Sequence, residues 1–581
     1  MRAAAAAARQ HPTGTPNRAR SEQVMGKMTS QPDNHGDRAA HDADVTILGT
    51  GITGTLLATA LARGGLAVQL LGEDQVPRVV GGEATLPCTS FLYELIAARF
   101  GLPEAALLAD AGRVRTEVSH SSGVHRTWGF AHHEPGQEHR AGRSLQFNVP
   151  SEHGESHFHR PDLDAWLLAR AVQRGVRVRQ RARVEKAVVE DGCVRLSLKS
   201  GQELRTGMVV DTEGPDSAVA RAIGAERVSV LATRSYGFHA VGVQPYERLA
   251  PPRAGSHPWS HGVLTHVFDG GWLQVGHFRN GDGTPAPNVP AVVTLSLDPG
   301  RHPAAAGHRT EELWREVLRH AERHPAMAAQ LAGAQPTASW SDEATHWRAS
   351  RTAGERMLLL DRAALGGDPL LGRDLYASAQ LVLVAAGDVL AAARDGDFSA
   401  GRFRYLERLQ HGMADRHDAL VGAALTASGS FELWSALARV WLLGTMFDAL
   451  SLKRSSKELA AGASESALAG LRADPALGAC HYTVPEYVEL LDLTLALCRG
   501  VAEGETGPRQ AADRIMLRLR QDRIVPPIYG FGDPDDLEYV LSLRGRLRTL
   551  RWVRGEAQPS VQRLVRPYGL RGGGKDLGHG E

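Results

Sequence analysis

The sequence predicts an α/β fold: a Rossmann-like dinucleotide-binding domain carrying a Gly-x-Gly-x-x-Gly loop, with an inserted β-sheet and a C-terminal helical region. Three observations carry this expectation. A strand, a glycine loop, a helix and a second strand follow one another between Ala43 and Gly72. Short alternating strands recur between about 226 and 350, and a helical period takes over from about 400.

Residues 1–42 mix Arg, Ser, Pro, Asn, Gly and His without periodicity and read as a disordered tail, within which Met25 or Met28 can serve as the start. Val45, Ile47 and Leu48 then make an apolar strand that runs into Gly49-Thr50-Gly51-Ile52-Thr53-Gly54 and an Ala/Leu-rich helix to about Arg63. A second strand, Ala67 to Leu71, ends at Gly72-Glu73-Asp74. In this order Gly49 permits a tight turn, Gly51 lets the backbone approach a pyrophosphate, and Gly54 lets helix and strand pack closely. The free N–H groups of the helix start face the phosphates, and Glu73 stands where a carboxylate holds a ribose hydroxyl. Residues 43–225 are expected to form the first part of this domain and 351–405 its closing part. Between them, 226–350 supplies a substrate-side sheet with strands such as Ser235 to Val243, His261 to Phe268, Trp272 to Phe278 and Val292 to Leu297. Residues 406–566 are expected to be helical, with segments such as Phe403 to Ala414, Ser464 to Arg472, Pro485 to Cys498 and Gln510 to Gln521, before a loose tail at 567–581.

Composition narrows the partners. The chain holds 581 residues, and 66 Lys+Arg against 65 Asp+Glu leave a formal charge of +1, so no global field favours nucleic acid or an anionic membrane surface. The four cysteines, Cys88, Cys193, Cys480 and Cys498, are too scattered for a disulfide framework or a zinc site and fit a reducing cytoplasm. The most apolar stretch, around Ala436 to Leu452, is broken by Arg439 and Asp448, and the alanine run Ala3 to Ala8 is followed by Arg9, so neither reads as a membrane span or a signal peptide.

Farther along, Pro77-Arg78-Val79-Val80-Gly81-Gly82-Glu83-Ala84-Thr85-Leu86-Pro87 resembles the second signature of the flavin-dependent halogenases, an Arg shortly before Gly-Glu-Ser/Ala-Thr-Ile/Leu-Pro. The likeness continues through His157-Phe158-His159-Arg160 with Asp162, Asp164 and Trp166, through Val209-Val210-Asp211-Thr212-Glu213-Gly214, and through Leu359 to Ser378 with Asp368-Pro369 and Arg373. Asp397-Phe398-Ser399, Arg402, Tyr405 and Arg439-Val440-Trp441 resemble the helical part of the branch that acts in bacterial antibiotic biosynthesis. The resemblance implies an FAD-binding Rossmann-like domain. It adds Arg78, Glu83, Ala84, Thr85, Arg160, Asp211, Gly214, Asp361, Asp368 and Pro369 to the glycines and Glu73 as cofactor-binding positions. It also implies FAD reduced by a separate flavin reductase, chloride or bromide as halide, and a small secondary metabolite as substrate. Oxygen activation belongs to the cofactor, and the family positions a lysine to capture or polarise the hypohalous acid that reaches the substrate.

Several positions depart from that pattern. Alignment of Val118-Ser119-His120-Ser121-Ser122-Gly123 and Arg126-Thr127-Trp128 with the family's lysine-bearing strand leaves Glu117 in the lysine's place, and no lysine lies between Lys27 and Lys186. A carboxylate accepts hydrogen bonds but forms no chloramine. Glu117 is therefore a candidate general base or an arginine-paired strand residue near Arg113 and Arg115, and His125 is the other nearby group able to handle a proton. The family's Trp-x-Trp-x-Ile-Pro reads Trp272-Leu273-Gln274-Val275-Gly276-His277, its Gly-Asp pair reads Asp361-Arg362, and Gly366-Gly367 replaces Phe-Ile before Asp368. Glu73 also falls one place late, after Gly72. The expectation is an FAD-dependent oxidoreductase with altered chemistry. Its alternatives are a flavin monooxygenase that uses no halide, and a flavin-free scaffold or cyclase. Eight histidines between His120 and His159 raise the question of a metal, but without a cysteine among them they read as surface and pocket residues.

Overall fold

The computed structural model describes residues 41–569 apart from 82–83, 150–153, 281–284, 287, 306, 343–344, 463–467 and 469–483. The expected tail up to residue 40, Glu83, nearly all of the expected helix Ser464 to Arg472, and the stretch from 570 onward lie outside the described residues.

The first sheet is centred on strand Ala43–Leu48, which pairs in parallel with Val68–Gly72 on one side and Glu203–Asp211 on the other. Arg177–Gln180 and Met357–Leu359 extend it outward, again in parallel. Both faces of the central strand are covered, so Val45, Thr46 and Ile47 are all buried, and the strand reads as an apolar run rather than an alternation. Helix Ile52–Arg63 follows the glycine loop and packs against helix Arg373–Asp395, which returns the chain from the closing segment.

The second sheet runs, edge to edge, through Gln335–Asp342, Arg234–Val241, Ala291–Leu297, Gly271–His277, Gly262–Phe268, Thr127–His132, Ser144–Asn148 and Glu538–Tyr539. Helices Thr310–Ala321 and Pro325–Leu331 bury Leu313, Trp314, Val317 and Met327 against one face of it. This sheet is wider than the expected 226–350 insertion. It draws Thr127–His132 and Ser144–Asn148 from the stretch assigned to the cofactor domain, because parallel pairing of Thr127–His132 with Gly262–Phe268 buries Trp128, Phe130 and Ala131.

A second difference concerns Glu117, expected as a strand residue near Arg113 and Arg115. Asp110 caps Arg113 N–H at 3.0 Å, Arg113 pairs with Glu117 four residues on, and the segment closes into helical turns at Ala111–Arg113 and Val114–Val118. The C-terminal helices Arg404–Ala427, Phe431–Ala460, Pro485–Ala502 and Pro508–Gln521 share one apolar core with the glycine-loop helix rather than standing apart. Two helices, Leu370–Asp395 and Phe431–Leu459, are long and apolar enough to cross a membrane, but 78% and 72% of their apolar windows are buried inside the fold, which makes them core helices here.

Candidate functional site

The glycine loop forms an open cradle with two tight walls. Gly49 has φ +108°, a region that favours glycine, and a Cβ there would collide with the Thr212 hydroxyl. A Cβ on Gly54 would collide with the Gly49 carbonyl oxygen. Gly51 is different: a Cβ would meet only the Arg78 guanidinium, at 3.7 Å. The space above Gly51 is thus open, borders the uncapped start of helix Ile52–Arg63 and lies beside a cation, the features a pyrophosphate requires. Arg78 reaches the Thr50 hydroxyl at 3.5 Å and Asp74 at 3.8 Å.

Carboxylates line the far side. The Glu73 carboxylate is engaged by Arg183 at 3.0 Å, while its N–H donates to Glu213 at 2.7 Å. Glu213, which the motif Asp211-Thr212-Glu213-Gly214 contained but which did not stand out there, faces Glu73, Asp211 and Arg78, and burial pushes it up to about 7. Asp211 is buried, accepts from Glu213 N–H at 2.9 Å, and is raised to about 6 by desolvation, while Gly214 opens onto free space. Asp361 sits in the left-handed region at φ +55° at the end of strand Met357–Leu359. Its carboxylate takes a short hydrogen bond from Thr53 and one of 2.9 Å from Ser378, tying the closing segment to the first turn of the glycine-loop helix.

Other expected cofactor ligands hold the protein to itself. Arg160 grips Asp164 at 3.0 and 3.2 Å and donates to the Gly81 carbonyl at 2.9 Å, so it anchors the loop that carries the second signature. Asp368 is fully buried. It accepts from Leu370 N–H at 2.9 Å, from Trp272 Nε1 at 3.3 Å and from Ser235 at 3.2 Å, and Pro369 starts the turn that follows. Ala84 bridges to His157, the Thr85 N–H donates to the Ser156 carbonyl and the Ser156 N–H donates to the Thr85 hydroxyl, which fixes the end of that loop against strand Glu155–His157.

The two candidate catalytic residues occupy opposite environments. Glu117 lies about half exposed in its helical turn, with Arg113 Nε at 2.7 Å, and this hydrogen bond holds its carboxyl below the usual range. The geometry is that of the arginine-paired residue, in a helix rather than a strand. His125 is fully buried. Its Nδ1 meets the Thr85 carbonyl at 2.7 Å, which makes Nδ1 the donor and leaves Nε2, without a partner, as a lone pair. Burial lowers its pKa to about 4. Its ring lies 4.5 Å from Trp128, and Trp128 in turn packs against Gly372 in the turn after Asp368-Pro369. The closing segment and His125 therefore share one wall.

Arg373, beside Gly372, opens helix Arg373–Asp395. Its side chain is 10% exposed, with Asp374 at 3.8 Å from one terminal nitrogen, while Nε and the other terminal nitrogen have no hydrogen-bond partner. The preceding Leu371 and Gly372 both have positive φ, and no side chain caps this helix start. A buried, unsatisfied guanidinium at a helix N-terminus is a ready anion site. In the sequence Arg373 is visible only as part of a motif; that two of its guanidinium nitrogens lack a hydrogen-bond partner is something no spacing reveals. No group of three or more His, Cys, Asp or Glu able to hold a metal is present among the described residues.

No protein-family model matches the chain. It is 32% identical over 553 residues to tetracycline 7-halogenase of Kitasatospora aureofaciens, which covers 93% of this chain and 97% of the relative. The chain belongs to the flavin-dependent halogenases. Monodechloroaminopyrrolnitrin halogenase PrnC of Pseudomonas fluorescens is 30% identical over 539 residues, covering 90% and 94%. Among solved structures, halogenase PltM in complex with phloroglucinol and FAD matches at a TM-score of 0.79 and 25% identity, over 86% of this chain and 99% of that one. As in that family, the cofactor is FAD. The open space over Gly51, the helix start and Arg78 fit its pyrophosphate, and the Thr53–Asp361–Ser378 tie closes the cradle.

Proposed function

We propose that this flavin-dependent halogenase acts on a phenolic or polyketide-like small molecule with His125, rather than a lysine or Glu117, at the reacting end. The observation that supports this is the unpartnered Nε2 of a buried histidine that shares Trp128 with the closing segment. Bound in the cradle of Gly49, Gly51, Gly54 and Arg78, FAD reduced by a separate flavin reductase would supply the oxygen activation that turns a halide into hypohalous acid. The protein's residues then do three things. Gly49, Gly51, Gly54 and Arg78 hold the dinucleotide, and Arg373 with the uncapped helix start gathers the halide near the closing turn. Trp128 and Trp272 wall the interior from water, both being buried. His125 stays neutral above about pH 4, so its lone pair accepts the hydrogen of hypohalous acid or the proton leaving the substituted ring carbon. Unlike a lysine it is a base here, not a cation, and that is the altered chemistry. The free thiols of Cys88, Cys193 and Cys498 fit a cytoplasmic setting.

The test uses phloroglucinol as probe, with bromide, FAD, NADH and a flavin reductase, and reads the product by mass spectrometry. Monobrominated product is expected. A hydroxylated product free of bromine would favour the monooxygenase reading, to which the absent lysine also points.

A further inference from the structure

We propose that Glu155 is the proton-holding partner of His125, giving a proton to the oxygen that leaves hypohalous acid while His125 Nε2 takes the proton from the ring carbon. The inference rests on the reading of His125 given above. Strands Gly123–His125 and Glu155–His157 pair antiparallel with His125 directly opposite Glu155, so both side chains project from the same face. Thr85 joins them: its carbonyl oxygen accepts from His125 Nδ1 at 2.7 Å, and its hydroxyl lies within donating distance of Glu155 Oε2 at 3.3 Å and of the Ser156 carbonyl at 3.2 Å. Ser90, on helix Pro87–Phe100, donates a short hydrogen bond to the same oxygen. Two hydroxyls converging on Oε2 leave Oε1 to carry a proton.

The surroundings favour the neutral acid. Glu155 is 4% exposed and, among the described residues, forms no ion pair with an arginine or lysine. The other titratable groups facing it are Glu94 and Cys88, both on helix Pro87–Phe100, and Glu94 disfavours a second negative charge. Burial raises the Glu155 carboxyl to about 7, against the lowering effect of the Ser90 and Thr85 hydroxyls. Between about pH 4 and 7 the pair is thus mainly carboxylic acid and neutral imidazole, the two forms the step needs.

The step balances. The ring carbon attacks the halogen, the carbon–halogen bond forms and the oxygen–halogen bond breaks, with its electron pair passing to oxygen. That oxygen takes the Glu155 proton and leaves as water, and the ring proton goes to His125. The resulting carboxylate and imidazolium neutralise one another by returning the proton from His125 to Glu155.

The test compares the pH profiles of phloroglucinol bromination by wild type, Glu155→Gln and His125→Ala, with bound FAD and NADH-dependent oxygen consumption measured alongside. Wild-type bromination is expected to fall as pH rises through about 7. Glu155→Gln keeps size but carries no transferable proton, so its bromination should drop about 100-fold or more and lose the alkaline limb, with FAD content and oxygen consumption unchanged. A wild-type-like rate and limb in Glu155→Gln, with His125→Ala inactive, would overturn this proposal alone. Wild-type activity in both would also remove the reading of His125. Loss of FAD or of cooperative unfolding in Glu155→Gln would assign Glu155 to the fold and likewise overturn the proposal.

Discussion

Gly51 and Gly54 are three residues apart in one motif and make different demands. Valine at Gly54 drives side-chain atoms into the Gly49 carbonyl, and overpacking of this kind costs about 1–3 kcal/mol. Valine at Gly51 enters open space beside Arg78. Gly51→Val is therefore expected to unfold like wild type yet retain no flavin, and Gly54→Val to lose stability; flavin absorbance with thermal unfolding separates the two. Equal flavin content in wild type and Gly51→Val would contradict the cradle. Glu117 carries a simpler expectation. Because it is half exposed and paired with Arg113, Glu117→Gln should leave bromination and the unfolding midpoint unchanged, and a loss of two or more orders of magnitude would restore it as a general base. The glycine loop was legible because its constraints are local and backbone-borne. The roles of Glu117 and His125 were not separable in sequence, because which of two groups eight residues apart faces inward depends on whether 114–118 is helix or strand.

At the scale of elements, the buried Arg439 of helix Phe431–Ala460 holds a loop in place. One terminal nitrogen donates to the carbonyls of Gly530, Phe531 and Asp533 at 3.0, 3.1 and 2.7 Å, and the other to Asp536 at 2.8 Å. Arg439→Met leaves those acceptors without their charged donor, so a loss of about 3–5 kcal/mol is expected in denaturant unfolding, and a change below about 1 kcal/mol would show that the loop reorganises freely. Arg439-Val440-Trp441 was visible as a motif, but the four carbonyls it serves lie some 90 residues away and carry no side-chain signature. Trp272 gives the same lesson. It stood out as what remains of a longer tryptophan motif, and only the fold shows its indole N–H on Asp368, pinning the second sheet to the closing segment. The wide second sheet was partly legible for a related reason: alternation marks a strand but not the sheet it joins.

Across the whole molecule, burial keeps many histidines neutral. It lowers His125, His239, His266, His277 and His324 to about 4 and His320 to about 3, against an ordinary value of 6.5. Between these limits the unfolded chain binds protons that the folded one refuses, so stability is full above about 6.5 and is lost as pH falls towards 4. Asp211, Glu155 and Glu213, raised to about 6, 7 and 7, act in the opposite sense, losing stability as pH rises over the same range, but they are fewer. Denaturant midpoints are therefore expected to be lower at pH 5 than at pH 7, and a higher midpoint at pH 5 would show that the carboxyls dominate. The central claim is that an FAD-binding halogenase fold here places a neutral histidine at the reacting end. It is tested most directly by the bromination rate of His125→Ala with its flavin content held equal to wild type. A fall of about 100-fold or more is expected; an undiminished rate would contradict it.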